Sequence, residues 1–377
     1  MKDKSQITNY KSQICHIVGS VARTLLALTF LFSGFVKAVD PLGTVYKIED
    51  YLHAFGGFMT QLVPLAGAAA VCLIAFEFVL GVCLLCNVRT RWTSWITLAF
   101  YLVMTPLTLW IALTNPVSDC GCFGDALVLT NWQTFWKNVV LLCLAIVLLG
   151  CRQALPFKFT GRRELIITLL ALFAVDALMN FSYTHLPLLD FRPYKVGNNI
   201  PELMAIPEDA EADQYEVKLI YERDGKQQEF TLENYPKGDS EWKFVDQQSV
   251  LVKKGYEAPV HDFEILTMDY DDITYAILES EKPVTLVIMY DLKKTDRMQA
   301  MNAVRMFAYQ EDVYFLTGSG EYAIYAFGKE MGLNREKIEQ LFCTMDPVTL
   351  KTIVRANPGV VVIQNGTIIA KHNMRQL

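Results

Sequence analysis

Apolar residues crowd the first half of this chain into long runs, while the second half alternates apolar and polar positions as a soluble domain does. The runs cover about 17–36, 62–86, 92–113, 135–150 and 165–181. A bilayer core takes about 20 mostly apolar residues per helix, and these runs reach or approach that length. The first is predicted to be a retained helix rather than a cleaved leader, since no small-residue cleavage site follows it.

The polar segments between the runs set the expected orientation. Lys2, Lys4 and Lys11 precede the first run, Arg89 and Arg91 follow the second, and Arg152, Lys158, Arg162 and Arg163 follow the fourth. Basic loops favour the cytoplasmic side. The segment 114–134 has no Lys or Arg, and 37–61 sets two lysines against Asp40, Glu49 and Asp50, so both are expected outside. Five spans with a cytoplasmic N-terminus put everything after Phe181 outside as well. For a Gram-negative source, that means an inner-membrane protein with a periplasmic C-terminal half.

In that half, 215–221 alternates as a strand does, Asp224-Gly225 marks a hairpin turn, and 228–232 returns. From about Gly255 the pattern changes to strands at 283–290, 313–316 and 358–364, and helices at 298–309 and 321–331. A hairpin closes the chain through Asn365-Gly366. Strands alternating with helices predict an α/β fold with a mixed sheet. The expected units are a cytoplasmic N-terminus (1–13), a four-helix membrane domain (14–151) and a cytoplasmic loop with a fifth helix (152–182). A connector with a β-hairpin (183–250) and the α/β domain (251–377) complete the chain.

Composition agrees with this division: 52% of the 377 residues are hydrophobic, and the net charge of −6 comes without any basic stripe that would bind nucleic acid. Lipid is the partner that the spans require.

The chemistry-bearing residues are concentrated in Asp119-Cys120-Gly121-Cys122-Phe123-Gly124-Asp125. A disulfide between residues one apart closes a small ring, and Gly121 supplies the unusual backbone angles it needs. Strained, exposed disulfides have higher reduction potentials and oxidise other thiols. Asp119 and Asp125 are expected to raise the thiol pKa and disfavour thiolate. A static structural bond and two unpaired thiols stay open as alternatives, because spacing alone does not choose between them. A metal site is disfavoured, since four ligands are usual and no His lies nearby.

Glu77 sits in the second run, where a carboxylate needs an interior partner, and Arg23 in the first run is the expected counter-charge. The pair reads as a proton-handling or quinone-facing site, or as an ion pair that fixes helix packing. Asp176 in the last run is expected to face the bundle. Cys83 and Cys86 have Cys-x-x-Cys spacing but lie in apolar surroundings that suit inert thiols. Cys343 reads as core, and His261 and His372 as lone structural residues.

Several of these features occur in an order that resembles one family. Arg23, then Ser33-Gly34-Phe35-Val36-Lys37, Asp40-Pro41-x-Gly43, Glu77 and finally the Cys-Gly-Cys-Phe-Gly-Asp run resemble the DoxX-like/MauE group of four-helix membrane proteins over about 15–150. The resemblance implies a role in thiol redox maturation of exported proteins. In the second half, Ala258-Pro259-x-x-Asp262-Phe263 and Asn357-Pro358-Gly359 resemble the thioredoxin fold of the peroxiredoxin and reductase branch. Where that family carries Cys-x-x-Cys, this chain has Asp291-Leu-Lys-Lys-Thr-Asp296, so the domain is expected to be degenerate.

The leading expectation is a membrane thiol–disulfide oxidoreductase working through Cys120 and Cys122 on a periplasmic thiol protein or a thioredoxin-like partner. Quinone is its candidate electron acceptor, on analogy of architecture alone. The alternative is a non-catalytic scaffold whose degenerate domain binds an envelope partner. A third reading, a small transporter or oxidase subunit, would centre on Arg23 and Glu77.

Overall fold

The structure, a computed structural model, describes residues 2–117, 119–155, 161–212, 214–239, 241–253 and 255–377. Lys158 of the basic loop lies outside the described residues. Helices α1 (Lys2–Val39), α2 (Pro41–Phe55), α3 (Ala66–Leu85), α4 (Thr90–Thr114), α5 (Asn131–Cys151) and α6 (Gly161–Thr184) make up the first half. Among the described residues, five helical segments are long and apolar enough to cross a membrane: Ser12–Val39, Gly57–Leu85, Thr90–Thr114, Asn131–Ala154 and Gly161–Thr184. Large apolar side chains such as Val103, Leu170 and Phe173 point outward from them, as lipid-facing residues of a multi-pass membrane protein do.

The segment predicted as the outer loop 37–61 is mostly helix. Asp40 stops α1, because a residue before proline disfavours helical geometry. It then caps α2, its side chain accepting the Gly43 N–H at 3.0 Å, with Pro41 in the first turn. α2 is too short to span a bilayer, and it lies against α3 and α6 at one end of the bundle.

α1 and α3 cross closely. A Cβ on Gly34 would fall 2.6 Å from the Phe78 nitrogen, and one on Gly81 would fall 2.7 Å from the Leu31 nitrogen. Small residues at such a crossing let helix backbones meet, and here they set the α1 face carrying Ser33 and Lys37 against Glu77. In α6 the buried stripe is Ala171, Val175 and Met179. Asp176, one residue past Val175, therefore points away from the bundle, contrary to the expectation.

After α7 (Ile200–Met204) come β1 (Gln214–Arg223), β2 (Lys226–Thr231) and β3 (Lys243–Lys253), a three-stranded antiparallel sheet of order β2-β1-β3. The rest is β4 (Leu266–Thr267), α8 (Thr274–Leu278), β5 (Val284–Ile288), α9 (Arg297–Phe307), β6 (Val313–Thr317) and α10 (Glu321–Glu330). Then follow α11 (Arg335–Leu341), β7 (Phe342–Thr344), α12 (Pro347–Ile353), β8 (Gly359–Gln364) and β9 (Thr367–Asn373). The sheet order is β4-β7-β6-β5-β8-β9, with β5, β6 and β7 parallel and β8 and β9 antiparallel to their neighbours. Alternate residues of β5 face opposite ways. Val284, Leu286 and Ile288 pack towards α8 and α12, while Val287 packs towards α9, α10 and α11. The Asn357–Pro358 peptide before β8 is cis.

The α/β core starts earlier than expected. Tyr194 and Ile200 pack with Phe263 and Ile265. Half-buried Asp190 joins Arg192 at 2.8 Å and Lys371 at 2.7 Å, and Arg192 also donates to the Thr352 carbonyl at 2.9 Å. Burial, reinforced by Arg192 and opposed by Asp190, pushes Lys371 down to about 8. Burial would raise the Asp190 carboxyl, but the two cations outweigh it and hold it below its ordinary range.

Candidate functional site

The cysteine loop lies between α4 and α5, at the same end of the bundle as α2 and the α/β domain. Cys120 and Cys122 are joined as a disulfide with their Cα atoms 5.4 Å apart. Gly121 between them has φ +64°, and a Cβ there would fall 2.9 Å from Lys47 Cγ. Both the left-handed conformation and the close approach of Lys47 therefore demand glycine.

Carbonyls and carboxylates of the loop tie it to its neighbours. Asp119 accepts the Gly121 N–H at 2.7 Å and pairs with Lys47 of α2 at 2.7 Å. The Tyr51 hydroxyl of α2 donates to the Cys120 carbonyl at 2.8 Å. Ser33 Oγ of α1 lies 2.7 Å from the Cys122 carbonyl and 2.7 Å from a Glu77 carboxylate oxygen. A hydroxyl has one proton to donate, so Ser33 serves one of these acceptors at a time. Its own oxygen accepts from Lys37 Nζ at 2.8 Å.

Lys37 answers the question of Glu77's partner. Its ammonium lies 2.7 and 2.8 Å from the two Glu77 oxygens, and both side chains are almost fully buried. The expected Arg23–Glu77 pair does not form. Arg23 lies fourteen residues before Lys37 on α1, about 21 Å along the helix axis, near Cys86 at the other end of α3. Arg23 Nε has no hydrogen-bond partner among the described residues.

The α/β domain closes over the loop through Arg355, which follows α12. Its guanidinium is nearly buried and pairs with Asp40 at 2.8 Å and with Asp125 at 3.3 Å. Burial works against that charge, but the two carboxylates outweigh it and raise the Arg355 pKa. Partial withdrawal from water raises the Asp125 carboxyl, against the pull of Arg355. Beside this clamp, the Tyr46 and Tyr290 hydroxyls meet at 3.2 Å, and the Lys351 ammonium sits 4.9 Å from the Tyr46 ring centre. The expected effect of Asp119 and Asp125 on the thiols assumed uncompensated carboxylates, whereas each has a cation within ion-pair distance.

Two hollows flank the loop. A cleft of about 270 Å³ opens between α2, the loop and the α/β domain, lined by Asp40, Lys47, Asp50, Gly121, Lys351 and Arg355 among others. A second cavity of about 180 Å³ lies inside the bundle, with Cys120, Gly121 and Cys122 in its wall beside Lys37, Glu77, Lys137 and apolar side chains such as Phe30 and Leu73.

The turn after β5 carries no cysteine. Asp296 caps α9 by accepting the Met298 and Gln299 N–H groups, and Thr295 and Asp291 bind the Asn357 side chain at 3.0 and 3.1 Å. Cys343 is core in β7, its thiol pushed up to about 12 by burial. Cys83 is buried on α3 near Thr168, with Cys86 half-buried and unbonded. No cluster of three His, Cys, Asp or Glu side chains among the described residues is arranged to hold a metal ion.

Residues 15–150 match the family model described as methylamine utilisation protein MauE. The match takes in α3, α4, most of α1 and α5, and the whole cysteine loop. A second model, a domain of unknown function (DUF8463), matches residues 215–254, which are the three-stranded sheet. No curated protein and no solved structure matches the chain.

Sequence reasoning named Lys37 only within the Ser-Gly-x-x-Lys run and not as the partner of Glu77, and it missed Lys47, Tyr51, Arg355 and the contact between Cys15 and Cys151, whose sulfurs lie 2.9 Å apart. Lys37 had a usable signal: it stands four residues after Ser33, so both project from one face of α1. Arg355 had none, since its partners lie in the other half of the chain.

Proposed function

We propose that this chain is a membrane thiol–disulfide exchange protein of the MauE type, acting on exported thiol proteins through Cys120 and Cys122. One observation carries this reading: the disulfide loop stands between a cleft facing the α/β domain and a second cavity inside the bundle, whose wall includes both cysteines, and its carbonyls and carboxylates are held from several elements. A positioned cysteine pair between two compartments suits electron transfer better than local stapling does. The Lys and Arg pattern supports a periplasmic placement of this end, in the inner membrane of a Gram-negative source. The order β7-β6-β5-β8-β9 supports the thioredoxin likeness of the α/β domain, and the four-helix part supports the DoxX likeness.

The reaction balances as two exchanges. A substrate thiolate attacks one sulfur of the loop disulfide, forming a mixed disulfide and releasing the other cysteine as thiolate. The second substrate thiol attacks the mixed disulfide, and the substrate leaves oxidised. The loop then holds both electrons as a dithiol, its two sulfurs having taken up the two protons. Asp119, held by Lys47, and Asp125, held by Arg355, keep the loop in place.

The scaffold reading has its own support in the cysteine-free turn 291–296, beside which Tyr290 meets α2. Oxidation of a dithiol peptide by proteoliposomes distinguishes the two. Exchange requires that Cys120→Ser and Cys122→Ser each abolish oxidation, whereas a pure scaffold would show none even in the wild type.

A further inference from the structure

We propose that Cys15 and Cys151 form a second redox site, a thiol pair that a hydroperoxide closes reversibly into a disulfide at the end of the bundle away from the cysteine loop. Their sulfurs lie 2.9 Å apart, although 136 residues separate them in the chain. Cys15 stands about one turn inside the start of the span Ser12–Val39, and Cys151 about one turn before the end of the span Asn131–Ala154. Both are half-buried, so a small oxidant can reach them. The site stands whether or not Cys120 and Cys122 exchange electrons.

The fold builds this contact from both sides. Buried Gly19 comes four residues after Cys15, so the two share one face of α1. A Cβ on Gly19 would fall 2.8 Å from the Cys151 Cβ. Glycine there lets Cys151 lie against α1 with its sulfur at Cys15. The turn Arg152–Ala154 after α5 then returns Leu155 to the core that holds Ala22 and Leu26. Bonded sulfurs are ~2.05 Å apart, so closure takes about 1 Å of movement, which side-chain rotation supplies. Cys83 and Cys86 make the contrast: their spacing suits a pair, but the Cys83 sulfur faces the Thr168 hydroxyl at 3.7 Å.

The Lys and Arg pattern supports a cytoplasmic placement of this end. Cytosolic thiols are kept reduced, and disulfides formed there are transient, catalytic or redox-sensing. Once closed, this one ties the first span of the MauE-type domain to the last, where packing alone holds them in the reduced state.

The electrons balance. Hydrogen peroxide converts one thiol to a sulfenic acid and leaves one water. The other thiol attacks that sulfur, the S–S bond forms, and a second water departs. The two thiols give up two electrons and two protons, all taken by the peroxide.

The test uses the full chain in lipid nanodiscs, one copy per disc, reduced with dithiothreitol and freed of it. A small excess of hydrogen peroxide is added, and the protein is alkylated, digested without reduction and read by mass spectrometry. The expected result is a peptide pair linked through Cys15 and Cys151, with parallel loss of alkylation at both. Reduced glutathione should restore that alkylation. Cys15→Ser should abolish the linked pair, and Cys343 should stay alkylatable after denaturation throughout. Differential alkylation of the wild type needs no variant and carries the result by itself. Two thiols that stay free under peroxide overturn the proposal, as do two that oxidise separately to sulfinic acids or that link to other cysteines. A bond that glutathione does not reopen would be a static staple and overturns it too.

Discussion

Two turns lean on α2 from different halves of the chain. The loop 119–125 comes from the membrane bundle and touches α2 through Lys47 and Tyr51. The turn 291–296 comes from the α/β domain and meets α2 beside Tyr290 and Tyr46. The first carries two cysteines, a left-handed glycine between them, and a cavity behind. The second follows β5, carries no cysteine, and holds a capping aspartate and an Asn357 hydrogen-bond network. The difference teaches that two turns packed on the same helix need not share chemistry: the bundle's turn holds a cysteine pair and the α/β domain's turn holds none. If the bundle loop is the exchanging pair, the α/β domain contributes position and the bundle contributes chemistry.

The largest effect expected from breaking this contrast is on activity. Cys120→Ser or Cys122→Ser should lower dithiol-peptide oxidation by about a hundredfold or more, given that the pair acts as a unit. Cys343→Ala, in the buried core of the other half, should leave the rate unchanged. A comparable loss from Cys343→Ala in folded protein would place chemistry in the α/β domain after all.

Next in size is the clamp. Arg355→Ala removes the cation shared by half-buried Asp40 and exposed Asp125, at a cost of about 1.5–3 kcal/mol. The α/β domain should leave α2, seen as faster hydrogen exchange around Tyr46 and as a lengthened spin-label distance between the halves. Exchange of the pair with dithiothreitol should persist, because the loop keeps Lys47, Tyr51 and Ser33.

The α/β half has its own charged staple, with a pH signature. Lys371 in the folded protein titrates at about 8, against ~10.4 when unfolded. Between these values the folded state binds fewer protons than the unfolded one, so stability rises with pH. The gain across that window is on the order of 2 kcal/mol, read from denaturant midpoints, and Lys371→Met should flatten it. A stability that falls with pH in the wild type over this window would contradict the assignment.

The smallest effect is that of Tyr46→Phe, which removes one hydrogen bond to Tyr290 and costs about 1 kcal/mol of docking. Hydrogen exchange in α2 is sensitive enough to show it, and the thiol chemistry should be unaffected.

Much of this frame is readable from residues alone, for identifiable physical reasons. Long apolar runs announce spans because lipid tolerates little else. Asp224-Gly225 and Asn365-Gly366 announce hairpins because the turn needs positive φ at both positions, which both pairs adopt. α2 stays hidden because it is too short for a span and its charges read as a loop. β3, with few apolar positions alternating in Lys243–Lys253, carries no period-two signal. α11, β7 and α12 are each shorter than the window that periodicity needs. At the site, Cys120, Cys122, Asp119 and Asp125 stand together in one run. Lys37 yields to Arg23 in a sequence reading because charge alone does not report depth along a helix. Arg355 depends on a contact between halves that local patterns do not encode.

Everything proposed for the loop turns on whether Cys120 and Cys122 exchange electrons. Differential thiol alkylation of isolated membranes, read by mass spectrometry while a mild reductant is titrated in, tests this most directly. An exchanging pair should open under mild reductant and, with one cysteine changed to serine, trap a thiol partner as a mixed disulfide. A pair that stays closed under strong reductant, or fully reduced with nothing trapped, would contradict exchange and make the loop structural.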